Sequence, residues 1–122
     1  GAGLGVAAML SLPPSVRIFI CLAPADMRRS FDGLARMAGE LAGRDPLSGH
    51  LFVFRNRRGD RLKILYWDRD GYALWYKRLE RGVFRFPPGE NGDVELSSAD
   101  LALVLEGIDL RGLKRRKSFV KP

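Results

Sequence analysis

The sequence predicts an α+β domain: a strand, a helix, a four-stranded antiparallel meander, a C-terminal helix and a basic tail. Three observations carry this expectation. Apolar residues recur about every 3.6 positions over 27–42 but about every 2 positions from residue 51 onward, so a helix precedes a run of strands. Four aromatic or β-branched runs follow residue 51, separated by turns that each contain a glycine. A chain of 122 residues that is 46% hydrophobic holds enough apolar surface for one core.

In chain order, Pro13-Pro14 breaks regular structure, and Val16-Arg17-Ile18-Phe19-Ile20-Cys21-Leu22 then reads as a mostly buried strand that Pro24 ends. Asp26 is a good N-cap. Beyond it Met27, Phe31, Leu34, Ala38 and Leu41 follow the spacing of one apolar helix face, which predicts an amphipathic helix over 27–42 with Phe31, Leu34, Ala38 and Leu41 on the sheet. Gly43 stands where a C-terminal cap belongs, and Asp45-Pro46-Leu47-Ser48-Gly49 is a loop. Meander strands are expected at 51–55, 61–67, 72–79 and 83–86. Their turns, Asn56-Arg57-Arg58-Gly59-Asp60, Asp68-Arg69-Asp70-Gly71 and Glu80-Arg81-Gly82, offer glycine where positive φ is needed. Pro87-Pro88-Gly89 closes the meander, since proline cannot donate to a ladder. Ser97-Ser98-Ala99-Asp100 resembles a capping box, and Leu101, Val104, Leu105 and Ile108 continue it as a helix over 98–107. Residues 1–12 are expected to be an N-terminal extension, 13–113 the domain and 114–122 a flexible tail.

Charge is segregated. The net charge is +7, from 21 Lys and Arg against 14 Asp and Glu. Residues 52–86 carry ten basic and four acidic groups, residues 111–122 six basic and no acidic ones, and residues 87–110 six acidic and no basic ones. Positive blocks of this kind favour a polyanion as partner over a merely solvated surface. No stretch approaches the roughly 20 apolar residues of a membrane span, so a soluble protein is expected. One cysteine, Cys21, excludes an internal disulfide and points to the reducing cytoplasm.

Catalytic signals are sparse. His50 has no second histidine or Cys-x-x-Cys near it, and Cys21 within an apolar strand reads as a small core hydrophobe. Asp68 and Asp70 flank Arg69, and paired carboxylates can hold a divalent metal for phosphoryl chemistry. Asp-x-Asp-Gly is also ordinary turn composition, and no third carboxylate can be assigned to the pair. Arg57-Arg58-Gly59-Asp60 lacks the Gly-Lys-Ser/Thr ending of a phosphate-cradling loop. No catalytic residue, metal or cofactor is expected.

Binding signals are dense. Aromatics are interleaved with the meander's cations in Phe54-Arg55, Trp75-Tyr76-Lys77-Arg78 and Phe84-Arg85-Phe86, with Tyr66-Trp67 adding two more rings, an arrangement that suits base stacking beside phosphate neutralisation. The competing reading packs these aromatics under the two helices. The residues expected to contact nucleic acid are Arg55, Arg57, Arg58, Arg61, Lys63, Arg69, Lys77, Arg78, Arg81 and Arg85, together with Lys114, Arg115, Arg116 and Lys117 of the tail.

Five ordered motifs point to a family. They are Asp26-Met27-Arg28-Arg29-Ser30-Phe31-Asp32-Gly33-Leu34, Gly49-His50-Leu51-Phe52-Val53-Phe54, Gly59-Asp60-Arg61-Leu62-Lys63-Ile64-Leu65-Tyr66-Trp67-Asp68, Lys77-Arg78-Leu79-Glu80-Arg81-Gly82 and Leu105-Glu106-Gly107-Ile108-Asp109. Over about residues 13–113 the chain resembles the TnpB, or second-open-reading-frame, accessory proteins of the bacterial insertion-sequence family sixty-six. Ser30 and Tyr66 depart from that pattern without altering a proposed charge. The resemblance implies a non-catalytic protein encoded beside a larger transposase and assisting transposition, and it transfers no catalytic residues. The expected partners are the DNA of mobile-element ends and the transposase of the same element. The alternative is a protein-interaction module that binds the transposase, through the acidic 87–110 segment or the aromatic sheet, without touching DNA.

Overall fold

The computed structural model describes residues 12–86 and 93–106. Its elements are β1 (Ile18–Cys21), α1 (Phe31–Ala42), β2 (Leu51–Arg55), β3 (Arg61–Asp68), β4 (Gly71–Arg78), β5 (Asp93–Leu96) and α2 (Ser98–Leu105). The strands form one mixed sheet in the order β4-β3-β2-β1-β5, and the α+β class stands as expected from the sequence. β2, β3 and β4 are the antiparallel meander. β1 lies parallel to β2, a pairing that needs a long crossover, and α1 lies within the segment that provides it.

Each helix covers one face. Leu34, Ala35, Met37 and Ala38 of α1 pack with Phe19, Cys21, Phe52, Phe54 and Leu65. Leu101, Val104 and Leu105 of α2 pack on the other face with Ile18, Ile20, Leu51, Val53, Leu62 and Ile64. Covering both faces explains why β1 and β2 read as continuous apolar runs, since every residue of β1 and the first four of β2 are buried.

Four sequence expectations need correction. Residues 83–86 are not a strand. Their Phe-Arg-Phe alternation records burial of Phe84 and Phe86 with Arg85 exposed, and the Phe84 N–H donates to the Gly59 carbonyl at 2.7 Å outside any strand ladder. The fifth strand is β5 instead, antiparallel to β1, in a segment whose charge hid its alternation. α1 begins at Phe31 with Ser30 as N-cap, because Asp26 caps an earlier turn, accepting the Arg28 N–H at 2.9 Å. Phe31 is 43% exposed. Helical side chains lean toward the N-terminus, so the first residue of a helix projects beyond the layer that the later turns cover.

Most other local readings hold. Gly43 ends α1 in the left-handed region at φ 62°, and the Ser97 hydroxyl accepts the Asp100 N–H to start α2. Gly59 and Gly82 adopt positive φ, but in the β3–β4 turn the left-handed residue is Arg69 at φ 58° and not Gly71. The Leu41 side chain, Ile108, the 1–11 segment and the 114–122 tail lie outside the described residues.

Candidate nucleic-acid interface

Strand register collects the arginines at one end of the sheet. β3 starts where β4 finishes, pairing Arg61 with Arg78, while Arg55 at the end of β2 pairs with Leu62. Cys21 at the end of β1 is level with Phe54. The loop after β1, the β2–β3 turn and the segment after β4 therefore all leave this end. Backbone bonds tie them together: the Ala25 N–H donates to the Arg55 carbonyl, Leu79 to Asp60 and Phe84 to Gly59.

Arg57 and Arg58 form the exposed tip of the β2–β3 turn, and Arg81 and Arg85 are exposed on the segment after β4. Among the described residues the side chains of Arg57, Arg81 and Arg85 have no hydrogen-bond or ion-pair partner. The carboxylates near them are already engaged. Asp60 accepts from the Asn56 amide at 2.7 Å, which holds its carboxyl below the usual value, and Glu80 pairs with Arg78 at 2.9 Å. Asp26 pairs with Arg28 at 2.6 Å, and that hydrogen bond brings its carboxyl down to about 2.

Arg55 is held from two sides. Its Nη1 donates to the Phe84 carbonyl at 3.1 Å, and its guanidinium lies over the Phe86 ring at 4.4 Å. Burial, with repulsion from Arg85 added, lowers its pKa from the ordinary arginine value. Arg55, Arg57, Arg58 and Arg85 line one groove with Gly59, Val83, Phe84 and Phe86. Arg57 also lines a second hollow with Arg29, Asp26 and Met37, and Arg61 and Arg78 flank Tyr76 in a third.

Three of the expected residues stand apart. Lys63 is only 6% exposed and its ammonium donates to the carbonyls of Met27 and Arg29, both at 2.8 Å, so it fastens the chain ahead of α1. Lys77 donates to the Leu105 carbonyl at 3.0 Å, tying the C-terminus of α2 to β4. Arg69 occupies the β3–β4 turn at the opposite end of the sheet, beside Asp68. Lys114, Arg115, Arg116 and Lys117 fall outside the described residues.

Sequence reasoning missed Arg28 and Arg29. Their motif was visible, but only the β1–β2 pairing brings the loop that carries them to the arginine end. Of the interleaved aromatics, Phe54, Phe84 and Phe86 are core, whereas Tyr76 is 46% exposed and its hydroxyl accepts from Arg61 Nη1 at 2.9 Å. His50 accepts the Arg17 backbone N–H on Nδ1 and meets the Phe19 ring edge-on, and Cys21 is buried in β1. Among the described residues no three His, Cys, Asp or Glu side chains are grouped to hold a metal, and no helix is long and apolar enough to cross a membrane.

These features define a small α+β protein that presents a concentrated arginine surface from the end of its sheet. The chain belongs to the IS66 Orf2-like family, whose sequence pattern matches residues 16–115, and so to accessory proteins of insertion-sequence transposition. It is similar to two proteins of Sinorhizobium fredii (strain NBRC 101917 / NGR234) described as uncharacterized. One, y4hO, is 43% identical over 103 residues, covering 84% of this chain and 90% of that protein. The other, y4jC, is 38% identical over 108 residues, covering 88% of this chain and 92% of that protein. No solved structure matches the chain.

Proposed function

We propose that this protein is a non-catalytic accessory factor of transposition that holds the DNA of mobile-element ends through the arginine end of its sheet. The observation that carries this reading is the convergence from two loops of Arg57, Arg81 and Arg85, which have no ion-pair partner among the described residues, with Arg58 beside them in the field of Asp60. Crowded like charges destabilise a fold unless a polyanion compensates them. A nucleic-acid backbone supplies that compensation and gains the entropy of released counterions. Arg29, Arg61 and Arg78 widen the same surface, and the exposed ring of Tyr76 stands beside Arg61 and Arg78 as a stacking surface for an unpaired base.

A salt-series mobility-shift assay on duplex DNA from an element end, with and without transposase, tests the reading. Replacing Arg57 and Arg58 together by Ala should leave stability within about 0.5 kcal/mol per site. The slope of log affinity against log salt should shrink by about 1 per residue, with sequence preference little changed. If the wild type shows no salt-sensitive binding to any duplex yet co-purifies with the transposase, the DNA reading fails and a transposase-binding module takes its place.

A further inference from the structure

We propose that the groove between the β2–β3 turn and residues 83–86 is a discrete binding site for one phosphate group, with Arg55 as its fixed anchor. The inference rests on the DNA reading only for the source of that phosphate.

The lining of the groove contains four guanidinium groups and no carboxylate. Its volume, about 250 Å³, accommodates a phosphate together with the atoms that esterify it. Arg55 is held at two points, because one nitrogen is bound to the Phe84 carbonyl and the guanidinium carbon lies over the Phe86 ring. An arginine carries five N–H donors, so a held guanidinium keeps several for a ligand and its side-chain entropy is already spent. Arg57, Arg58 and Arg85 are exposed and can fold in over the same point. Four cationic forks suit a tetrahedral oxyanion, which offers more acceptor oxygens than a planar carboxylate.

The groove is also built by backbone. Gly59 sits at φ 83°, and a Cβ there would press on Val83 Cβ at 3.3 Å. That close approach lets the Gly59 carbonyl accept the Phe84 N–H and sets Arg85 opposite the Arg57-Arg58 tip. The charge of an anion in the groove would offset both the burial of Arg55 and its repulsion from Arg85.

The test follows the side-chain Nε–H resonances of the ¹⁵N-labelled full chain during titration with inorganic phosphate, ionic strength being held constant with chloride. Arg55 should shift saturably while Arg36 and Arg69 do not. Arg85→Ala, an exposed change, should weaken phosphate binding about tenfold, the size of one charge-assisted hydrogen bond. Arg55→Lys, which keeps the charge but not the fork, should do the same. Oligonucleotides with and without a 5′-phosphate then separate the sources: a response that needs the 5′-phosphate assigns the groove to a strand end, and an equal response assigns it to internal phosphodiesters. Shifts spread evenly over all arginines, or no saturable shift, overturn the groove. If duplex DNA binds and depends on Arg57 and Arg58 while Arg55 stays silent, the groove falls and the DNA reading stands. If Arg55 responds to phosphate and no duplex binds, the groove stands and the DNA reading falls.

Discussion

Lys63 is read from sequence as a phosphate ligand, yet its side chain is buried, with the ammonium donating to two backbone carbonyls and lying over the Tyr76 ring. Strand alternation offered two faces for it, and only the packing of residues 27–30 over β3 shows that its face is covered. Lys63→Met keeps most of the side-chain volume but strands those carbonyls, and should cost about 1–3 kcal/mol in denaturant unfolding. Amide exchange over residues 27–30 should accelerate in the same variant. A stability unchanged by the substitution would show that the ammonium does not hold this segment. Asp26 offers a second check. Its folded-state carboxyl, at about 2, lies below the unfolded value. The ion pair's contribution is therefore fully present above about pH 3.9 and is lost as pH falls through the folded midpoint. Carboxyl NMR should place that midpoint near 2 in the wild type, and Arg28→Ala should return it toward the ordinary value. An unmoved midpoint would remove Arg28 as the cause.

Burial and strand pairing part company in residues 83–86. A Phe-Arg-Phe run satisfies the period of a strand because its two rings enter the core, but a ladder needs a neighbour with free backbone groups. β4 turns away at Leu79, whose N–H is taken by Asp60, and Phe84 is taken by Gly59. Phe84→Ala should therefore cost about 3–5 kcal/mol, as truncation of a fully buried Phe does. Phe31→Ala should cost about 1 kcal/mol or less, the range of partly exposed positions. Chemical denaturation of the two variants checks the contrast, and equal losses would return Phe31 to the core. The missed strand, β5, has the opposite character. Its backbone pairs with β1, while Asp93 and Glu95 give it the composition of an acidic loop. On β1 the flanking Arg17 meets Glu95 at 2.6 Å, so a charge that obscured the strand also helps to dock it.

Across the molecule, the two ends of the sheet differ in how their cations are used. One end gathers Arg55, Arg57, Arg58, Arg61, Arg78, Arg81 and Arg85. The other carries Arg69 beside Asp68, with Arg17 held by Glu95. Sequence order does not express this division, because Arg69 sits between Arg61 and Arg78 along the chain yet a full strand length away in the sheet. Arg69→Ala should leave both the affinity for duplex DNA and its salt slope unchanged, whereas Arg57→Ala should lower the slope by about 1. A mobility-shift series on the two single variants measures both, and an equal loss would mean that binding follows net charge and not location.

The α+β class, both helices, three strands of the meander and the caps at Gly43 and Ser97 were legible in the chain because they depend on local periodicity and local backbone chemistry. The arginine-rich turn at 56–60 was legible for the same reason, and the family resemblance was carried by contiguous motifs. Pairing of β1 with β2, the arrival of β5, the burial of Lys63 and the gathering of arginines from three loops depend on contacts between residues far apart in sequence. No local preference encodes them: a strand's pattern tells which residues are apolar, but not which neighbour will satisfy its backbone or which face another element will cover.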